Sequence, residues 1–398
     1  MAFFLLCLTI FIMFFQPAEV WPILEKYQPL RNSAIFALLG YIFSRKHNKE
    51  PFFAEKVNWY FLLFVVMQVL SASLLWLGGG IEAFNLWLRL GIVYFLITQS
   101  VVDENKVRSI AAVIVFAVAY LSYYSISKYV VVYMPGIRAG GFGWYSNPND
   151  IAIILVSVIP LALLLANTAG SFVSKTIYLG LAGMFAFNIL FTGSRNGLLG
   201  LLAVGVLSLY FSERMPKLFR AILFAGLLAG VFAVGITNVL SRSDLNALSG
   251  DSSSENRIEQ WKVGLSMLKD HPVFGVGPGE FTTYVRQYGG IPGMQPHNTL
   301  LQVFAESGIF GGVFFLLLVS YPLVYLIRMK NISGKSNNSI AAMLYKFICS
   351  SLAGFCVCAF FSNRYQFYIL YVLIALAVAV KQNLLNPAGW TELDANIS

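Results

Sequence analysis

The sequence predicts an all-α integral membrane protein of about twelve transmembrane helices, with one long extramembrane loop between the ninth and tenth. Composition is the first observation behind this: hydrophobic residues make up 58% of the 398-residue chain and charged residues only 11%. Patterning is the second, because the charges cluster between apolar runs of about 20 residues, the length a helix needs to cross a bilayer. A net charge of +9 in a soluble protein would suggest nucleic acid. Here no compact basic patch is interleaved with aromatics, and membrane proteins use lysine and arginine to set topology.

Apolar segments fall at roughly 2–16, 32–44, 57–78, 85–102, 107–125, 150–169, 175–192, 196–212, 218–240, 298–327, 339–361 and 365–381. The opening stretch MAFFLLCLTIFIMFFQPAEVW lacks the basic flank and small-residue cleavage site of a secretory signal, so it reads as a retained helix. An even number of spans puts both termini on one side. With the N-terminus inside, the inner segments hold 15 of the 27 lysines and arginines, the short outer segments 7 and the long outer loop 5. That bias assigns both termini to the cytoplasm. The implied division is 1–240 for helices 1–9, 241–297 for a periplasmic loop, 298–381 for helices 10–12 and 382–398 for a cytoplasmic tail. Cys7, Cys349, Cys356 and Cys358 sit inside apolar runs and read as small buried residues, not as disulfides or metal ligands.

The long loop begins with the serine-rich SRSDLNALSGDSSSEN, a turn-forming stretch. Ser252 and Glu255 then have the spacing of a capping box. Ile258, Trp261, Leu265 and Leu268 recur at three and four residues, which predicts an amphipathic helix over about 254–269. Pro272 stops it, and GVGPGEF makes a tight glycine-rich turn. This is not a nucleotide loop, since the preceding strand, the following helix and the lysine are all missing.

Most outer segments carry a basic or polar residue that topology does not request, while the helix interiors are nearly free of charge, Glu306 being the main exception. A transporter would concentrate ionisable groups at mid-membrane depth, so the pattern places any chemistry at the outer face. Arg195, in TGSRNG, falls on the first turn of a helix, where the macrodipole disfavours a cation. An anion would offset that, and unpaired helix N–H groups with a guanidinium make a phosphate seat; a snorkelling interfacial arginine is the alternative. Arg257 falls on the loop helix away from the Ile258 and Trp261 stripe, as a solvated residue would. Arg138 lies beside AGGFG, whose glycines permit close approach of a ligand. His297, in QPHNTLLQ, precedes the tenth helix, whose positive end disfavours imidazolium, so its ring is a usable general base at neutral pH.

The segments ENRIEQWKVGLSMLKDHPVFGVGPGEF and HNTLLQVFAESGIFGG, preceded by NPND and TGSRNG, resemble the O-antigen ligase and polymerase family over roughly 138–320. As in that family, nine residues separate the His297–Asn298 pair from a glycine, Gly308. Ligases typically continue with two threonines, where this chain has Gly312 and Val313. The resemblance implies a cofactor-free and metal-independent glycosyltransferase of the bacterial inner membrane, with a fold similar to the C-type glycosyltransferases. Its donor would be a glycan on undecaprenyl diphosphate, presented at the periplasmic face. The acceptor would be lipid A core for a ligase, the leading reading, or a lipid-linked repeat unit for a polymerase; a relative that glycosylates proteins remains open. It further implies His297 as general base, Asn298 as its partner or a sugar ligand, and Arg195, Arg257 and Arg138 as diphosphate ligands. A lipid-linked sugar flippase is the competing class, and it would rely on groups such as Glu306.

Overall fold

The computed structural model describes residues 1–44, 51–131, 138–211, 253–332 and 340–385. Among these the secondary structure is helical throughout, with no strand. The helices are α1 (Ala2–Phe15), α2 (Pro29–Ile42), α3 (Lys56–Leu75), α4 (Leu77–Ser100), α5 (Glu104–Val131), α6 (Pro148–Thr168), α7 (Phe172–Thr192), α8 (Arg195–Phe211), α9 (Ser253–Asp270), α10 (Thr299–Ile332), α11 (Ile340–Ala359) and α12 (Tyr368–Val380). Eight of them, α3 to α7 and α10 to α12, are long and apolar enough to cross a membrane. Helices α1 and α2 have only 14 residues each, about 21 Å of rise against a hydrocarbon core of about 30 Å. The expected span at 218–240 and the serine-rich start of the loop, including Ser252, lie outside the described residues.

Two boundaries differ from the sequence reading. A single extended residue, Trp76, separates α3 from α4, so the expected outer segment around 79–84 is helical and Arg89 lies inside α4. At the other end, α12 continues past 381 through a π-helical turn, Lys381–Leu385. There Lys381 Nζ donates to both oxygens of Glu55 at 3.0 and 2.9 Å and to the Tyr321 hydroxyl at 3.2 Å. The lysine that sequence treats as a topology marker is thus buried in an ion pair.

Helices α6 and α12 form the centre. In their most apolar stretches 83% and 89% of residues are buried, against 22% for the peripheral α7. A helix apolar all round must be surrounded by other helices, and α6 packs on α5, α7, α8 and α11 while α12 packs on α4 and α11. The first turns of the two central helices lie at the same end of the bundle, opposite the Glu55–Lys381 pair.

Helix α10 is broken at Gly308 (φ 70°, ψ −173°). The break frees backbone groups, and the chain ahead of the helix satisfies them. Val276 N–H donates to the Ala305 carbonyl at 2.9 Å, Gly277 N–H to the Glu306 carbonyl at 3.0 Å, and Ile309 N–H to the Pro272 carbonyl at 2.8 Å. Ser71 Oγ, from α3, adds bonds to the Phe274 and Glu306 carbonyls at 2.6 and 2.9 Å. The glycine-rich turn is therefore the partner of the break. Contact is so close that a Cβ on Gly275 would collide with the Glu306 carbonyl, and one on Gly308 with that of Val273. Gly308→Ala is expected to destabilise the fold by about 1–3 kcal/mol from backbone conformation alone, before the collision is counted. Gly180→Ala, with open space around it, should be neutral or slightly stabilising. Thermal unfolding of both variants in detergent checks this, and equal midpoints would contradict it.

Candidate active site

Three helices begin at one corner of the bundle, and each start is capped by a residue suited to it. Asn147 caps α6, accepting from Asn149 N–H at 2.8 Å. Ser194 caps α8, accepting from Gly197 N–H at 3.3 Å. Asn298 caps α10, its Oδ1 accepting from Leu301 N–H at 2.9 Å. Side chains tie the corner together: Ser194 Oγ and Arg138 Nη2 both donate to Asn149 Oδ1 at 2.9 Å. Asn298 N–H donates to Asn363 Oδ1 at 3.2 Å, and Asn363 Nδ2 donates to Gln295 Oε1 at 2.5 Å. Three positive helix ends therefore point into one place, which favours negative charge there.

His297 sits at this corner with φ 48°, a left-handed conformation that non-glycine residues seldom adopt. The flanking residues hold it there. Pro296 accepts at its carbonyl from Trp261 Nε1 at 2.8 Å, and Asn298 is fixed by its cap and by Asn363. The ring itself makes no hydrogen bond with the protein among the described residues. It lines a pocket of about 480 Å³ with Asn147, Asn149, Asp150, Met294, Asn363 and Arg364 among its walls. Its pKa is lowered from the ordinary 6.5 by burial first, then by the charges of Arg257 and Arg364. The positive end of α10 alone predicts the same direction.

The loop helix α9 supplies Arg257, but not in the orientation its apolar stripe predicts. Its buried face is Gln260, Val263, Gly264 and Met267, while Ile258 and Leu265 are 53% and 57% exposed. Small residues win because α9 lies against α10 at close range: a Cβ on Gly264 would stand 3.1 Å from Leu301. Val263 and Met267 then pack with Val276, Phe281, Val285 and Ala305 in a small core of their own. Arg257 precedes Gln260 and Gly264 by three and seven residues, so it falls on the protein-facing side. It is half-buried, and burial followed by the charge of Arg195 lowers its pKa.

The structure therefore brings Arg195, Arg257 and His297 within electrostatic reach of one another. Arg195 is exposed at the start of α8. Neither it nor Arg257 has an ion-pair or hydrogen-bond partner among the described residues, whereas Arg138 donates from Nε to the Thr192 carbonyl at 2.6 Å as well as to Asn149. Arg138 thus braces the turn that presents Arg195. Arg364 was missed as a site residue. It forms a two-pronged ion pair with Asp150, from Nε to Oδ1 and from Nη2 to Oδ2 at 2.6 Å. The only signal in the sequence was its outer-segment setting in SNRYQ; nothing there pairs it with an aspartate 214 residues away.

A family model described as O-antigen ligase matches residues 179–316. No curated protein matches the chain. The matched stretch contains Arg195, Arg257, His297, Asn298 and the Gly308 break, but not Arg138, Asp150 or Arg364.

Titration of His297 tests the electrostatics of the corner. In isotope-labelled protein its midpoint should lie below 6.5, with the ring neutral at pH 7 and charging only as pH falls through that midpoint. Removing a neighbouring cation with Arg257→Gln should raise the midpoint. An unmoved midpoint would mean that Arg257 does not act on the ring.

Proposed function

Since residues 179–316 carry the domain of the O-antigen ligase and polymerase family, we propose that the protein transfers a glycan from undecaprenyl diphosphate to an acceptor hydroxyl at the periplasmic face of the inner membrane. The observation that carries this reading is the grouping of two arginines and a neutral imidazole, all three without a hydrogen-bond or ion-pair partner among the described residues, with three helix N-termini. Twelve spans and a fold similar to the C-type glycosyltransferases belong to the same reading.

In the reaction, the acceptor O–H bond breaks as its oxygen bonds to the anomeric carbon. The proton passes to a ring nitrogen of His297, and the bond from the anomeric carbon to the diphosphate oxygen breaks with its electron pair leaving on the lipid diphosphate. His297 is suited to the first task because its ring is uncharged and has no hydrogen-bond partner among the described residues. Arg195 and Arg257 are suited to the second. Their charges are in place before the reaction, and charge that develops on the leaving oxygens meets donors that need no reorganisation. Mutual repulsion between the two guanidiniums is relieved by the anion. Arg138 acts by holding the α7–α8 turn, and Asn298 by fixing the start of α10. The glycosyl diphosphate of the donor is already activated by its leaving group, so no nucleotide or metal is required.

Lipid A core is the acceptor we favour, as for a ligase. Gly312 and Val313, in place of the two threonines of typical ligases, favour a lipid-linked repeat unit as the second reading. A flippase would need an ionisable group free to hold cargo inside the bundle. Glu306 instead accepts from Gln302 Nε2, Tyr365 Oη and Gly279 N–H at 2.9, 2.8 and 3.0 Å, while Asp150 and Glu55 are paired with Arg364 and Lys381.

Reconstitution of the purified protein with lipid-diphosphate-linked glycan, offering lipid A core and lipid-linked repeat unit as rival acceptors in the presence of EDTA, should give product on one of them. His297→Ala should lower turnover by about 10²–10⁴-fold in protein that still inserts and elutes as wild type. Arg195→Lys keeps the charge but loses the planar fork, and turnover should fall at least about tenfold. Wild-type turnover in the histidine variant would remove the general-base role; wild-type turnover in the lysine variant would remove Arg195 from the site.

A further inference from the structure

A second pocket, of about 360 Å³, shares Asp150, Gln295, Asn363 and Arg364 with the pocket of His297 and continues inward to Gln302 and Glu306. Its lining combines flat apolar faces with amides. Trp144, Phe281 and Phe367 supply the faces, and Gln295, Gln302 and Gln366 the amides. Such a mixture of apolar wall and a few placed polar groups is the usual make-up of a small-molecule site, and the volume falls within the usual range of about 300–1,000 Å³.

The charge state of this pocket differs from that of the arginine cluster. Arg364 is neutralised by Asp150, and the Glu306 carboxylate is occupied by three donors from Gly279, Gln302 and Tyr365. What is left for a ligand is neutral. Gln302, only 6% exposed, has an Oε1 with no hydrogen-bond partner, a buried acceptor that is costly to leave unmet. Trp144 is held in place by stacking on Tyr368, with ring centroids 4.6 Å apart and planes at 25°, and it remains 43% exposed. A rigid, accessible aromatic face beside amide groups suits a ring that is apolar on its face and hydroxylated at its edge.

Position assigns the ligand. His297 lines the first pocket with Asp150, Gln295, Asn363 and Arg364, the wall that the second pocket shares, while Arg257 and Arg195, which line neither pocket, are its neighbours by charge. Resting on the transferase reading above, we propose that this second pocket binds a neutral sugar ring of the acceptor glycan and so holds its reacting hydroxyl toward His297. The diphosphate end of the donor is disfavoured there, because the one cation among the described lining residues, Arg364, is paired with Asp150.

The test is calorimetric titration of the full chain in detergent with two oligosaccharides freed of their lipids, one from lipid A core and one from the repeat unit, together with acceptor and donor KM in the reconstituted assay. One oligosaccharide should bind wild type and His297→Ala alike. Trp144→Ala, Gln366→Ala and Gln302→Leu should each weaken that binding at least tenfold and raise the acceptor KM by a similar factor, leaving the donor KM unchanged. Because Gln302 also bonds to Glu306, Trp144→Ala and Gln366→Ala decide the matter if Gln302→Leu does not fold. Unchanged oligosaccharide binding and acceptor KM in the two milder variants would overturn the proposal, as would transfer by a wild-type protein that binds neither oligosaccharide. Oligosaccharide binding that depends on Trp144 in a protein giving no transfer would support the pocket and overturn the transferase reading instead.

Discussion

The break in α10 at Gly308 is the constraint on which the rest of the site depends. An α-helix satisfies its own backbone everywhere but at its ends, and inside a membrane protein an interrupted helix must find partners for the freed groups. Here the partners come from the chain just ahead of the helix, 272–277, which lays its N–H and C=O groups along the gap. The loop cannot then hang free: one end is pinned to the middle of α10 and the other returns to the start of the same helix at Thr299. The turn carrying His297 is thereby held between two fixed points, and α9, which precedes it, is latched to it through Trp261.

Glu306 gives the break its polarity. A carboxylate with no cation beside it is costly to bury unless several donors face it, and its donors come from the glycine-rich turn, from its own helix and from the segment leading into α12. Three separate pieces of chain are joined at one side chain. Removing it would loosen the His297 corner and the Arg364 corner together, which explains a charge inside a helix without assigning it cargo. The buried Glu55–Lys381 pair does comparable work at the opposite end of α12.

Much of this was legible in the sequence. Long apolar runs revealed the helices, and the motifs PHNT, TGSRN and SNPND marked residues that turn out to share one corner. What was not legible follows from distance and from size. No local pattern pairs Asp150 with Arg364, because Asp150 lies on the first turn of α6 and Arg364 in the segment between α11 and α12, 214 residues on, so they meet only once the bundle has formed. The buried face of α9 is not the one that side-chain bulk predicts. Close helix contact instead selects Val263, Gly264 and Met267, which rotates Arg257 from the expected solvent side onto the protein side. GVGPGE reads as a turn, but its purpose lies in a helix break that sequence periodicity does not show, since apolar residues resume directly after Glu306, Ser307 and Gly308.

Arg257 and Arg364 are the same residue type, both act on His297, and the structure treats them in opposite ways. Arg364 is locked into a planar fork by Asp150, a geometry that fixes both groups and cancels most of the field they send outward. Arg257 has no partner among the described residues and stands near a second arginine, an arrangement that costs free energy in the empty protein. A bare cation cluster of this kind is consistent with a site that meets an anion, because the ligand's charge offsets the desolvation and repulsion already present. A cancelled pair in the pocket wall beside the same imidazole is consistent with a neutral ligand. The histidine neighbours both, and in the proposed reaction it would take the proton of a neutral hydroxyl as negative charge builds on a departing diphosphate. Asymmetry of charge across a single ring, more than any one residue, is what fits this corner to glycan transfer.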